Sequence, residues 1–232
     1  MSAETEARTL RTAGAFGLMF FLLVQAFQET VRRSLPTPED PSAALLDALH
    51  PTQRARGALL LLAFFGLFVS FLAIGLSRVR QRPALVVLAL SFLGLFCAVE
   101  IIYRSIDFFA VEGAWLRRYA ATNDPVLRAM LRSRVEGYGD VVKALYAPLT
   151  LSQMLGSALL AGAFVPAAGV DRWLVAGLAF NTLRLAGRFA SSYLGAHWLD
   201  SLSGELYFPA ILCSFGPALA WAMGAPARAN VA

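Results

Sequence analysis

Six apolar stretches, each close to the length that crosses a bilayer, constrain this chain more than any motif does. They run roughly over 13–31, 57–76, 84–111, 141–164, 173–194 and 206–223. About 20 apolar residues in a helix cover a hydrocarbon core. Lipid offers no partner to an open strand edge, so helices are the expected form, and the runs are continuous where a half-buried strand would alternate. Composition points the same way: 58% of residues are hydrophobic and 15% charged, against about a quarter charged in soluble domains. The sequence therefore predicts an all-α polytopic membrane protein. It is expected to be one domain over 1–232, with about six transmembrane helices in one bundle around a polar interior.

The net charge of +5 comes mostly from arginines at the ends of the runs and between them, where membrane proteins keep their cations. There is no basic run with interleaved aromatics, so nucleic acid is not an expected partner. Cys97 and Cys213 both fall inside apolar runs, which argues against a disulfide framework. "MSAETEARTLRTAG" lacks the basic region of a signal peptide, and no cleavage site follows it, so the first run is expected to be an uncleaved span. The tight "SRVRQRP" turn and the lack of Lys or Arg from Phe189 to Ala227 favour a cytoplasmic N-terminus, although a raw arginine count opposes it. The expected location is the inner (plasma) membrane.

Two connections are more than turns. "PTPEDPSAALLDALHP" holds an amphipathic segment near 41–50, and "NDPVLRAMLRSRVEG" holds a basic one near 124–136. In the second, Asp124 suits a cap and Pro125 the first helical position. The segment either lies in the membrane interface or packs over the bundle end.

Polar residues within the runs are not scattered. In "VEIIYRSIDFF", residues 99–109, Glu100, Tyr103, Arg104 and Asp107 share one face at about 100° per residue. Gln25, Gln28, Glu29 and Arg32 form a second such face, and Lys143, Tyr146, Thr150, Gln153 and Ser157 a third. Asn181, Arg184, Arg188 and Ser192 form a fourth. The second run has only Ser70, and the sixth is almost as apolar, so these two are expected as lipid-facing walls. Glu29, Glu100 and Arg188 come out at one depth, about 22–24 Å from the starts of their spans. A charge near the bilayer centre costs at least ~2.5–3.5 kcal/mol. Pairing is therefore expected: Glu100 or Glu29 with Arg188, and Asp107 with Arg104. Glu112, about 120° off this face and near the helix end, is expected to matter little.

These groups define a candidate site. Glu100 and Glu29 are placed to hold and move a proton, with Tyr146 as donor. Arg184 and Arg188 suit an anionic group, and Arg104, Asp107, Gln25, Gln153 and Asn181 complete the lining. The competing account is that the same contacts only hold the helices together. Other chemistry finds little support. His50 and His197 both lie in connections, and the spacing of Asp200 from His197 is a weak metal pattern. Phosphate-loop, dinucleotide, nucleophile-elbow and Cys-x-x-Cys motifs do not occur, and no cofactor is expected. The small-residue patterns "GSALLAGA" and "GLAF" suit helix packing.

The order of spans, the second span "ARGALLLLAFFGLFVSFLAIGL", and the stretches "RSIDFF" and "YAPLTLSQMLGSALLAG" resemble a family of uncharacterised bacterial six-helix membrane proteins. That resemblance implies the fold and supplies no catalytic residues. Three functions fit the residues. One is a membrane-embedded site that binds or transforms a small amphiphilic or lipid-like molecule. The others are a non-catalytic subunit of a membrane complex and a small transporter working as a homo-oligomer. Membrane lipid is a partner in all three.

Overall fold

The structure, a computed structural model, describes residues 3–35 and 40–224. The helices are α1 (Ala3–Ser34), α2 (Pro41–Asp47), α3 (Pro51–Leu76) and α4 (Pro83–Ser105), the last running on through a π-helical segment (Ile106–Leu116) into α5 (Arg117–Ala121). They continue with α6 (Pro125–Ala163), α7 (Asp171–Leu194), α8 (Trp198–Glu205) and α9 (Tyr207–Met223). No strand occurs among the described residues. Proline opens α2, α3, α4 and α6, a position where its missing N–H is no loss. Asp40 and Asp124 cap α2 and α6 by accepting from the Ala43 and Val126 amides, each at 2.9 Å. Gly195 ends α7 at φ +76°, a left-handed turn that favours glycine.

Among the described residues, four helical stretches are long and apolar enough to cross a membrane: Arg8–Ser34, Pro51–Leu76, Pro83–Ala121 and Pro125–Ala163. They are compatible with an integral membrane protein. Large apolar side chains such as Phe16, Leu62, Leu88 and Leu183 point outward, as lipid contact requires and water contact does not. α9 is apolar but only 17 residues long, and α7 carries Arg184 and Arg188 in its second half. The basic segment 124–136 and the run 141–164, separate in the sequence reading, are one continuous helix of 39 residues. At ~1.5 Å per residue it spans roughly 58 Å, nearly twice a hydrocarbon core. Its early part lies against the π segment and α5. Tyr138 fixes it there by donating to the Tyr103 carbonyl at 2.8 Å, and the Trp115 and Tyr138 rings meet edge to face.

The six long helices close a ring. α1 packs on α3, α3 on α4, α4 on α6, α6 on α7, α7 on α9, and α9 back on α1. Small residues set the closest crossings. A Cβ on Gly17 would collide with the Gly66 carbonyl oxygen, so α1 and α3 meet backbone to backbone. Ser70 donates there to the Gly14 carbonyl at 2.8 Å. Gly177 does the same for α7 and α9, where a Cβ would come within 2.7 Å of the Ser214 carbonyl oxygen.

A ring of six leaves a middle to be filled. In a regular ring the centre lies as far from each axis as neighbours lie apart, about 8–10 Å. Part of this space is filled with aromatic rings. Phe21 meets Phe64 and Phe215 edge to face at 6.1 and 5.2 Å, and Phe64 meets Phe96 at 5.8 Å. α3 and α9, expected as outer walls, supply two of these four rings. Their apolar residues face inward as well as outward.

A candidate site in the middle of the helix ring

Beyond the aromatic plug the ring is open. A cavity of about 460 Å³ is lined by residues of α1, α3, α4, α6, α7, α8 and α9, a size common for small-molecule sites. Its floor is Phe21, Phe64, Phe96 and Phe215. Its walls carry Gln25, Glu100, Tyr103, Arg104, Tyr146, Gln153, Arg184, Arg188 and Tyr207. At its rim Arg32 donates to the Gly204 carbonyl of α8 at 3.3 Å, and Ser192 and Gly204 are exposed. Along α1 the rise from the Phe21 floor to the Arg32 rim is roughly 16 Å.

Each polar side chain has a local reason for its place. Glu100 is 6% exposed and holds Arg104 one turn later, Nε to Oε2 at 3.3 Å. The guanidinium of Arg104 also lies over the Tyr103 ring, 4.5 Å from its centroid. Arg188 lies 4.8 Å over the Tyr146 ring, a cation–π contact that joins α7 to α6. Tyr207 donates to Gln25 Oε1 at 2.8 Å where α9 closes on α1. Pro148 sits inside α6 among the lining residues Tyr146, Leu149 and Thr150, and it removes one backbone hydrogen bond at cavity depth.

Of the expected site residues, Glu100, Tyr146, Arg104, Arg184, Arg188, Gln25 and Gln153 all line this cavity. Three do not. Glu29 is turned away and clasped by Arg32 at 2.8 Å and Arg33 at 2.6 Å. Asn181 is fully buried behind the wall. It donates to Ser157 Oγ at 2.9 Å and accepts from Arg184 at 2.9 Å, so it positions Arg184. Asp107 lies in the π segment, where its electrostatic partners are Arg104 and Arg56.

The expected pairings change accordingly. Glu100 takes Arg104 and Glu29 takes Arg32 and Arg33, because residues three or four apart on one helix reach each other without a neighbour's help. Glu112 also departs from expectation. It is 9% exposed and faces Arg54 of α3 at 3.9 Å. Its Oε2 and the Nε atoms of Arg54 and Arg56 are buried without a hydrogen bond. Glu112 is absent from the cavity lining, in keeping with its angle on the helix, but the helix runs on through Ile106–Leu116 into α5, so Glu112 is not at an exposed helix end.

Tyr207 is a polar lining residue that the residue pattern did not single out. It stands at the first turn of an otherwise apolar helix, and a lone tyrosine there looks like an interface anchor. Among the described residues no three His, Cys, Asp or Glu side chains converge as a metal site would need. The side chain of Asp200 lies outside the described residues.

Searches of family models, curated proteins and solved structures return no match to this chain.

Proposed function

We propose that this protein is a six-helix integral membrane protein of the inner (plasma) membrane whose central cavity binds a small amphiphilic, lipid-like molecule. The observation that carries this reading is the cavity's polarity. One chamber has an aromatic floor, polar and charged walls, and a rim at one end of the bundle. Pro83 and Asp171 begin their helices at the opposite end, and Glu100 and Arg188 lie about 25 Å along from them. With a hydrocarbon core of ~30 Å, the charged walls sit near one interface and the phenylalanines deeper. A lipid in that leaflet has the same order of head and tail.

In this reading α7 and α9 complete the set of spans, and the N-terminus is cytoplasmic. Glu100 and Tyr146 are the groups that handle a proton where the bound molecule reacts. The test is what the protein carries out of its native membrane. Native mass spectrometry of the full chain in a neutral detergent should find a retained amphiphile. Ile211→Trp, which fills the chamber from α9, should lose it while keeping the helical content. A wild-type protein that retains no amphiphile, and none that can be added back, overturns the reading.

A second reading as a membrane-complex subunit draws on the hairpin of α5 and early α6, whose length carries it beyond a bilayer. It predicts that a partner protein stays bound after gentle extraction, and that the Ile211→Trp variant keeps that partner.

A further inference from the structure

Resting on the cavity reading above, we infer that the bound molecule carries an oxyanion, a phosphate or carboxylate group held by Arg184 and Arg188. Among the described residues the chamber is lined by four arginines, Arg32, Arg104, Arg184 and Arg188, against a single carboxylate, Glu100. Two of the four are already matched. Arg32 is paired with Glu29 at 2.8 Å and Arg104 with Glu100 at 3.3 Å. Among the described residues neither Arg184 nor Arg188 has a carboxylate within ion-pair distance. Glu100 reaches Arg188 only as a longer-range attraction shared with Arg104.

Arg184 and Arg188 stand one turn apart on α7, so both guanidinium groups serve one part of the chamber. Neither is loose. Arg184 is held by Asn181, which is itself fixed by Ser157, and Arg188 is held over the Tyr146 ring. Both side chains line the open chamber. Two oriented guanidinium groups with no carboxylate at ion-pair distance among the described residues, set above an apolar floor, suit bidentate recognition of phosphate or carboxylate.

The experiment uses the full chain in a neutral maltoside detergent, with four probes: dodecyl phosphate, dodecanoate, dodecyltrimethylammonium and inorganic phosphate. Binding is read by titration calorimetry and by the shift in the unfolding transition. One or both anionic amphiphiles should bind saturably and raise the transition, while the ammonium probe should not. Arg188→Gln should weaken the anionic probe about tenfold to a hundredfold, the loss expected for a charge-assisted contact. Arg188→Lys should recover part of that, and the unliganded unfolding transition of each variant checks that it is folded. Equal binding of the ammonium probe, or an Arg188→Gln variant that binds dodecyl phosphate and dodecanoate as wild type does, overturns the inference and leaves the cavity reading standing. Inorganic phosphate binding as tightly as dodecyl phosphate keeps the oxyanion and overturns the amphiphile. No binding of any probe, together with no retained native amphiphile, overturns both.

Discussion

The two ends of the ring treat their charges in opposite ways. At the end holding the α3–α4 and α6–α7 turns, charges meet one another. Arg78 pairs with Asp171, Asp171 accepts from the Trp221 indole at 2.9 Å, and Arg11 donates to the Trp221 carbonyl while lying 4.6 Å over its ring. Arg78 also lies over Phe164, whose ring meets that of Trp221 edge to face at 5.8 Å. One cluster thus ties together α1, the α3–α4 turn, and the ends of α6, α7 and α9. At the cavity end, among the described residues, Arg184 and Arg188 have no carboxylate within ion-pair distance. The contrast assigns a holding role to the closed end and, on the proposed reading, a binding role to the cavity, and each half can be broken separately.

The largest effect should come from the closed end. Asp171→Ala removes an ion pair and the indole's acceptor and leaves Arg78 uncompensated. Breaking a buried pair from one side costs roughly 3–5 kcal/mol, and a similar order is expected here because both side chains are mostly covered. The unfolding transition in detergent should fall by the most of any variant considered, with affinity for a cavity ligand unchanged in the protein that remains folded. A loss of ligand with little loss of stability would reverse the assignment of the two ends.

Glu100→Gln is expected to rank second, at about 2–3 kcal/mol. Arg104 loses its partner, but the open chamber beside it admits water, which softens the penalty. Chemical denaturation of the detergent-solubilised protein measures it. An effect below about 0.5 kcal/mol, the range of a plain surface substitution, would mean that Glu100 is effectively solvated and that the chamber is wetter than its walls imply.

The relation between Glu100 and Glu112 shows where the sequence stops being legible. Helical periodicity places Glu100, Arg104, Tyr146, Gln153, Arg184 and Arg188 on inward faces, and the ring brings them together because each lies on a regular helix. Asp107, seven residues further along the same helix, is missing from the cavity lining, and Glu112, off that face as the angular count has it, is buried against Arg54 because the helix continues through the π segment into α5. The aromatic floor was hidden for a different reason. Phe21, Phe64 and Phe215 look the same in a sequence as the outward-facing Phe16 and Phe65, and only the ring closure of α9 on α1 separates them. Continuity of α6 was masked by composition, since its first part is basic and its last part apolar, although Asp124 and Pro125 already marked its start.

Glu112→Gln should therefore not be silent. Its carboxylate faces Arg54 at 3.9 Å and is buried without a hydrogen bond at Oε2. An ion pair at that distance without a hydrogen bond supports about 1 kcal/mol, below Glu100 and above an exposed substitution. The same denaturation series tests the order. A Glu112→Gln variant as stable as wild type would return Glu112 to the solvated helix end that simple periodicity assigns it.

The smallest stability effect should belong to the residue with the largest effect on binding. Arg188→Gln gives up a cation–π contact with Tyr146, worth about 0.5–2 kcal/mol depending on desolvation. It also removes a partly buried cation that has no carboxylate at ion-pair distance among the described residues, and that removal is favourable. The two terms oppose each other, so the unliganded protein should change by less than about 1 kcal/mol, a small fraction of the Asp171→Ala loss. Glue behaves otherwise, since removing a side chain that holds two helices together lowers stability and affects binding only through the fold. Measured side by side, Arg188→Gln should keep the unfolding transition and lose the anionic probe, while Asp171→Ala should lose the transition and keep the probe in its folded fraction. If Arg188→Gln unfolds as readily as Asp171→Ala, then Arg188 is structural, its charge is satisfied within the ring, and the distinction between the two ends does not hold.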